Sequence, residues 1–176
     1  MITLHDKTFE PYLSAAEIDV INQKLAAQVY EKYKNETPIF IGVLNGVVRF
    51  VSDFLKHYEG NCEVSFIKLS SYQGTETTHD VKRQVDLYCD ITDRHVIVLE
   101  DIVDTGNTLV EIIKLFNEHS PKSLEVATLF LKPDVYNKDI PIAYVGLEIP
   151  NKFIVGYGLD YDELGRNLNE VYQLKV

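Results

Sequence analysis

The stretch HVIVLEDIVDTGNTL, residues 95–109, contains the pattern that decides the fold. A run of apolar β-forming residues leads directly into the acidic pair Glu100 and Asp101, then into Asp104 and a polar turn. An apolar helical pattern follows the turn, so the stretch predicts a buried strand, a tight connection and a helix. Ligands of open parallel sheets bind outside the carboxyl ends of the strands. The acidic turn is therefore predicted to belong to a binding site.

Strand and helix patterns alternate along most of the chain. Ser14 and Glu17 have the spacing of a capping box at the start of an amphipathic helix. The alternation predicts an α/β fold with a mainly parallel central sheet flanked by helices. Strands are predicted at 38–44, 62–69, 95–100 and 124–131, and helices at 14–33, 47–58 and 108–119.

Two later segments, IAYVGLEI at 142–149 and FIVGYGL at 153–159, do not continue the alternation. Because they are short and strand-like, we expect them to form a small cap on the sheet. The polar segment 70–93 has no clear helical period, and we expect it to be a long loop with a short hairpin near 85–88.

The totals indicate one domain spanning residues 1–176, since this length buries a full core but is short for two. A net charge of −10 disfavours a surface built to bind nucleic acid. No apolar run is long enough for a membrane helix, and no secretory signal is visible at the N-terminus. With only two cysteines, a cytoplasmic location is expected.

The polar turn, Thr105, Gly106, Asn107 and Thr108, offers hydroxyls and backbone N–H groups at the start of a helix. Such a turn can bind a phosphate. It has neither the Walker pattern nor the dinucleotide fingerprint. Adjacent carboxylates suit a vicinal diol or a cation, so a ribose 5-phosphate would satisfy both halves of the stretch. The alternative is that Asp101 and Asp104 simply cap the helix, as aspartate often does.

The segment VIVLEDIVDTGNTL resembles the phosphoribosyl-pyrophosphate (PRPP) motif of the type I phosphoribosyltransferases. FLKPD, at 130–134, and VGLEIPNKFIVGYGLDYDELGRNL, at 145–168, resemble the purine-binding cap of the hypoxanthine-guanine members of that family. With GVLNG at 42–46 the likeness runs from about Pro38 to Arg166. The resemblance implies transfer of the phosphoribosyl group from PRPP to N9 of a 6-oxopurine, with Mg²⁺ as cofactor.

The resemblance also implies roles for single residues. Asp104 would be the general base at purine N7, and Lys132 would donate to the 6-oxo group. Phe153 would stack on the purine, and the backbone of Ile154 would bind its edge. Glu100 and Asp101 would bind the ribose hydroxyls and help to hold Mg²⁺, while the turn at 105–108 would bind the 5-phosphate.

Pyrophosphate would contact the turn formed by Leu44, Asn45 and Gly46, where the family commonly has a cis peptide at Leu44–Asn45. Arg166 would bind pyrophosphate, and Asp160 would coordinate Mg²⁺. Asn45 stands where the family often has lysine, and Asn107 replaces a lysine of some relatives. The side chain at 45 therefore brings no cation to the pyrophosphate, and neutral donors are left to bind the 5-phosphate.

The segment SSY at 70–72 resembles the flexible catalytic loop of the family, so Ser71 and Tyr72 would close over the site. The family usually forms dimers or tetramers, which implies a homo-oligomer. Two alternatives stay open: a phosphoribosyltransferase that prefers xanthine, and an RNA-binding regulator on the same fold. Affinity for RNA that falls with salt would distinguish the second.

Overall fold

A computed structural model describes residues 1–68, 87 and 89–175. Within this part of the chain, the central sheet has five parallel strands in the order β4-β3-β5-β6-β7. These strands are β3 (Ile39–Val43), β4 (Glu63–Ile67), β5 (His95–Val103), β6 (Ser123–Leu131) and β7 (Tyr144–Glu148).

Three helices flank this sheet in the described residues: α1 (Ala15–Tyr33), α2 (Val48–His57) and α3 (Asn107–Asn117). The predicted capping box at the start of α1 is confirmed, because Ser14 and Glu17 satisfy each other's backbone N–H groups. The mainly parallel α/β fold predicted from the alternation is also confirmed.

The hydrophobic core lies on both faces of the central sheet. Successive residues of β5 point to opposite faces. Ile97 and Leu99 pack into one cluster with α1 and α2, whereas Val96 and Val98 pack into another with α3. Since all four are fully buried, the uninterrupted apolar run of β5 is explained by a sheet that is covered on both sides.

A second, antiparallel sheet joins the two ends of the chain, in the order β1-β2-β9-β8. Its strands are β1 (Ile2–Leu4), β2 (Lys7–Leu13), β8 (Ile154–Val155) and β9 (Val171–Leu174). Within FIVGYGL, Ile154 and Val155 form β8, so this part of the predicted cap segment lies in the second sheet. The sequence reasoning did not find β1, β2 or β9; β2 and β9 pair with each other across more than 150 residues of the chain.

The placement of IAYVGLEI in the cap was wrong. Within this segment, Tyr144–Glu148 form β7, which pairs in parallel with β6 at the edge of the central sheet. The connection between β6 and β7 contains no helix, so the βα alternation ends before the sheet does.

The carboxyl ends of β3, β5 and β6 lie next to one another, which brings the turns after residues 43, 103 and 131 together. Ser71 and Tyr72 lie outside the described residues, as do most of the loop at 70–93 and all of the predicted hairpin except residue 87. None of the described helices has the length and apolar character needed to cross a bilayer.

Candidate active site

The turn between β5 and α3 has the geometry of an anion site. Gly106 precedes the helix with a left-handed φ of 80°, and within the described residues no side chain caps the first turn of α3. At the start of α1, Ser14 and Glu17 satisfy backbone N–H groups. The corresponding N–H groups of α3 have no side-chain partner among the described residues. The alternative in which Asp101 or Asp104 caps this helix is therefore wrong, and the first-turn donors are available to a ligand.

A cavity of about 90 Å³ lies at this turn, lined by Glu100 and residues 102–109. The Glu100 residue is only 6% exposed. Burial, and then the neighbouring charge of Asp101, raise the pKa of Glu100 well above its usual value. A carboxyl group in this position is poised to bind hydroxyls or a cation.

The Asp101 carboxylate lies against the turn that follows β3. A Cβ added to Gly46 would be 1.8 Å from Asp101 Oδ2, so only glycine leaves room there. The Ile102 N–H donates to Asp101 Oδ1 over 3.0 Å. Burial raises the pKa of Asp101 to about 6, although this hydrogen bond and the charge of Arg166 oppose the rise. The peptide bond Leu44–Asn45 is cis, as the resemblance implied.

Lys132 and Asp104 form an ion pair at the carboxyl ends of β5 and β6. Lys132 Nζ donates to Asp104 Oδ2 over 2.8 Å and to Asn151 Oδ1 over 3.4 Å. The lysine side chain is 8% exposed, but that of Asp104 is 47% exposed. The pair therefore presents a donor and an acceptor side by side, with the acceptor open to solvent.

Phe153 presents an exposed aromatic ring two residues after Asn151, which contacts Lys132. It is 46% exposed, whereas the following Ile154 is buried. Its ring packs against Phe9, at a centroid distance of 6.2 Å, and makes an edge contact with Tyr161 at 5.9 Å. These two contacts support the ring from the side of the second sheet.

Arg166 and Asp160 form a second ion pair, with Nη2 of the arginine 2.8 Å from Oδ1 of the aspartate. Arg166 Nη1 also donates to the Gly158 carbonyl over 3.0 Å. Within the described residues its Nε is buried without an acceptor. The pair belongs to the same site, because Gly158, which accepts from Arg166, packs against Gly46, and Gly46 in turn lies against Asp101.

The structure thus brings the predicted residues together in two groups. Glu100, Asp104, Lys132 and the turn at 105–108 lie at the β5 and β6 ends, while Asp101, Gly46, Asp160 and Arg166 lie at the β3 side. Sequence reasoning missed Asn151, which contacts Lys132, and Gly158, whose close approach to Gly46 was signalled by GYG at 156–158.

This chain is similar to known proteins over nearly its full length. The family model described as phosphoribosyl transferase domain matches residues 12–162. A hypoxanthine-guanine phosphoribosyltransferase of Staphylococcus epidermidis is 39% identical over 174 residues, which cover 98% of this chain and 97% of that protein. The same percentages hold over 173 residues for a protein of that name from Staphylococcus aureus.

Solved structures of similar proteins have the same fold. A hypoxanthine-guanine phosphoribosyltransferase of Bacillus anthracis superposes with a TM-score of 0.88 at 36% identity, covering 97% of this chain and 99% of that one. A hypoxanthine phosphoribosyltransferase of Staphylococcus aureus has the same TM-score at 39% identity, covering 97% and 94%.

A parallel sheet that is covered on both faces and has an acidic strand end beside an uncapped helix start defines a protein that can bind a ligand carrying hydroxyls and a phosphate. The chain belongs to the phosphoribosyltransferase family. Over nearly its full length, the chain is similar to hypoxanthine-guanine phosphoribosyltransferases.

Proposed function

We propose that this protein is a purine-salvage enzyme that transfers the 5-phosphoribosyl group from PRPP to N9 of hypoxanthine or guanine, releasing pyrophosphate. The observation that carries the proposal is the Lys132–Asp104 pair, which lies beside the uncapped start of α3. The names of the full-length relatives support the same activity.

The ion pair suits the edge of a 6-oxopurine. Lys132 Nζ would donate to the 6-oxo group while Asp104 accepts the proton of N7. These two groups lie side by side on the same edge of the purine. N9 attacks carbon 1 of the ribose, the bond from that carbon to the pyrophosphate oxygen breaks, and the N7 proton passes to Asp104. Adenine has an amino group at position 6 that offers Lys132 no acceptor, so it should be rejected.

The phosphate turn would bind the other end of the sugar. The N–H groups of the first turn of α3 and the hydroxyls of Thr105 and Thr108 would hold the 5-phosphate, with the helix dipole in support. Glu100 lines the same cavity and would accept from a ribose hydroxyl. Asp101 would act on the side of the leaving group, since it lies against Gly46.

The donor set fits Mg²⁺ held jointly with PRPP. The described residues contain no cluster of three or more metal-ligating side chains. Mg²⁺ is often held by one or two carboxylates together with the phosphate oxygens of a substrate. Asp160, Glu100 and Asp101 are the carboxylates that would hold it, and when bound it neutralises charge on the departing pyrophosphate. Arg166 would bind the same group.

The test is turnover of the purified protein with PRPP and hypoxanthine, guanine, xanthine or adenine in parallel, with and without Mg²⁺. We expect Mg²⁺-dependent formation of IMP or GMP and no reaction with adenine. Faster reaction with xanthine would replace the proposed bases by xanthine. Inactivity with every base would refute the proposal, and affinity for RNA that falls with salt would then favour the regulator. A homo-oligomeric state and a cytoplasmic location stay predictions.

A further inference from the structure

Tyr157 lies in the turn Gly156–Tyr157–Gly158. Among the described residues, its side-chain hydrogen-bond and cation–π partners, Asn22, Asp53 and Arg49, are not residues proposed to bind substrate. The three residues have φ values of 96°, 52° and 101°, all in the left-handed region. Glycine adopts this region freely, but a residue with a Cβ does so rarely. Some interaction of the tyrosine must therefore hold the backbone in this conformation.

The side chain of Tyr157 supplies that interaction, because it is 3% exposed and its hydroxyl is bound on two sides. It donates to Asp53 Oδ2 over 2.6 Å and accepts from Asn22 Nδ2 over 3.0 Å. Burial, and then the hydrogen bond to Asp53, raise the pKa of Tyr157, so the hydroxyl keeps its proton. The guanidinium of Arg49 lies 5.4 Å from the ring centroid on the same side of the molecule as Asp53.

The turn held in this way packs directly on the proposed pyrophosphate loop. A Cβ on Gly158 would lie 2.0 Å from the carbonyl oxygen of Gly46, so the two backbones are in closest contact. The same glycine contacts Arg166, whose Nη1 donates to the Gly158 carbonyl. The turn thus contacts both the loop and the arginine that would share the pyrophosphate.

Helix α2 connects the same two parts a second time. It begins at Val48, two residues after Gly46, and carries Asp53 and Arg49 one turn apart. Arg49 donates to the Asn167 carbonyl over 3.0 Å and to Asn169 Oδ1 over 2.7 Å. Any shift of the loop relative to the turn would disturb the contacts of both side chains.

We infer that Tyr157 is a positioning residue for pyrophosphate: its hydroxyl, held by Asp53 and Asn22, keeps the Gly156–Gly158 turn seated on Gly46. It thereby sets the distance between the loop at 44–46 and Arg166. This inference rests on the proposed function, because it assumes that these groups bind the pyrophosphate of PRPP.

The experiment compares Tyr157→Phe with Tyr33→Phe. The control also removes a buried tyrosine hydroxyl, one that donates to Glu125 over 2.9 Å among residues outside the proposed site. For Tyr157→Phe we expect the KM and the Kd of PRPP to rise about tenfold, as loss of one or two buried hydrogen bonds implies. The KM of hypoxanthine should change less than about twofold, since the Lys132–Asp104 pair is not moved.

Tyr33→Phe should lower the thermal midpoint comparably and leave the KM of PRPP unchanged. An equal rise of that KM in both variants would overturn the inference, and so would an unchanged PRPP affinity in Tyr157→Phe. Asp53→Asn keeps an acceptor for the hydroxyl and should preserve more PRPP affinity than Asp53→Ala, which provides the test if Tyr157→Phe does not fold. Equal PRPP affinities in the two Asp53 variants would refute the positioning role of the hydrogen bond between Tyr157 and Asp53. If instead the wild-type protein binds no PRPP, the proposed function fails first.

Discussion

Lys132→Met would test how the site selects its base. Methionine keeps most of the length and volume of the side chain but removes the ammonium that would donate to the purine 6-oxo group. A hydrogen bond from a charged donor contributes about 2 kcal/mol, so kcat/KM for hypoxanthine should fall about thirtyfold. The reaction of unsubstituted purine, which has no group at position 6, should lose much less.

The structure predicts that this variant folds. Lys132 is 6% exposed, and methionine removes the cost of burying its charge. The Asp104 side chain is 47% exposed and can be hydrated when its partner is lost. We therefore expect the free energy of unfolding to change by less than about 1 kcal/mol.

The assay is steady-state kinetics with PRPP and each of the two bases, together with a denaturation curve. Lys152→Met is the matched control, because Lys152 is exposed and its Nζ donates to Gln173 rather than toward Asp104. The reasoning would be refuted if Lys132→Met lowered kcat/KM equally for hypoxanthine and for purine, or if Lys152→Met had the same effect.

Three further substitutions test other parts of the site. Asp104→Asn cannot take up the N7 proton, so kcat should fall at least about a hundredfold while the calorimetric Kd of PRPP stays near that of the wild type; near-normal turnover would exclude Asp104 as the base. Gly106→Ala should lower the free energy of unfolding by about 2 kcal/mol, because φ is 80° and the new Cβ would lie 2.5 Å from the Tyr136 ring; an unchanged denaturation midpoint would contradict this. Asp101 has its pKa raised from 3.8 to about 6, so its ionisation destabilises the folded protein increasingly as the pH rises from about 4 to above 6. In metal-free buffer Asp101→Asn should therefore be more stable than the wild type by about 3 kcal/mol at pH 8, with no gain below about pH 4; a gain that is independent of pH would exclude this cause.

Much of the central sheet could be predicted because its signals are local. The apolar run of β5 and the capping box of α1 each lie within one element, and their periodicity is a property of neighbouring residues. Strand β7 was misplaced for the opposite reason. Its residues are neither fully buried nor clearly alternating, so only its partner β6 shows to which sheet it belongs.

The candidate site divides in the same way. The acidic residues at 100–104 and the polar turn at 105–108 occupy adjacent positions in the chain, so their proposed chemistry could be predicted from the sequence alone. The direct contact between Lys132 and Asp104 could not, since 28 residues separate them and only the parallel pairing of β5 with β6 brings their side chains to 2.8 Å.

The sequence by itself determined the fold class and the uninterrupted apolar strand, and it set the carboxylates of 100–104 beside the polar turn, because each of these features depends on residues that are neighbours along the chain. Only the tertiary structure decided that Asp101 lies against Gly46, that Gly158 packs on the Gly46 carbonyl oxygen, and that Asp53 and Asn22 bind the Tyr157 hydroxyl. Those contacts join segments that are about 50 to 140 residues apart, and long-range packing of this kind leaves no period in the sequence.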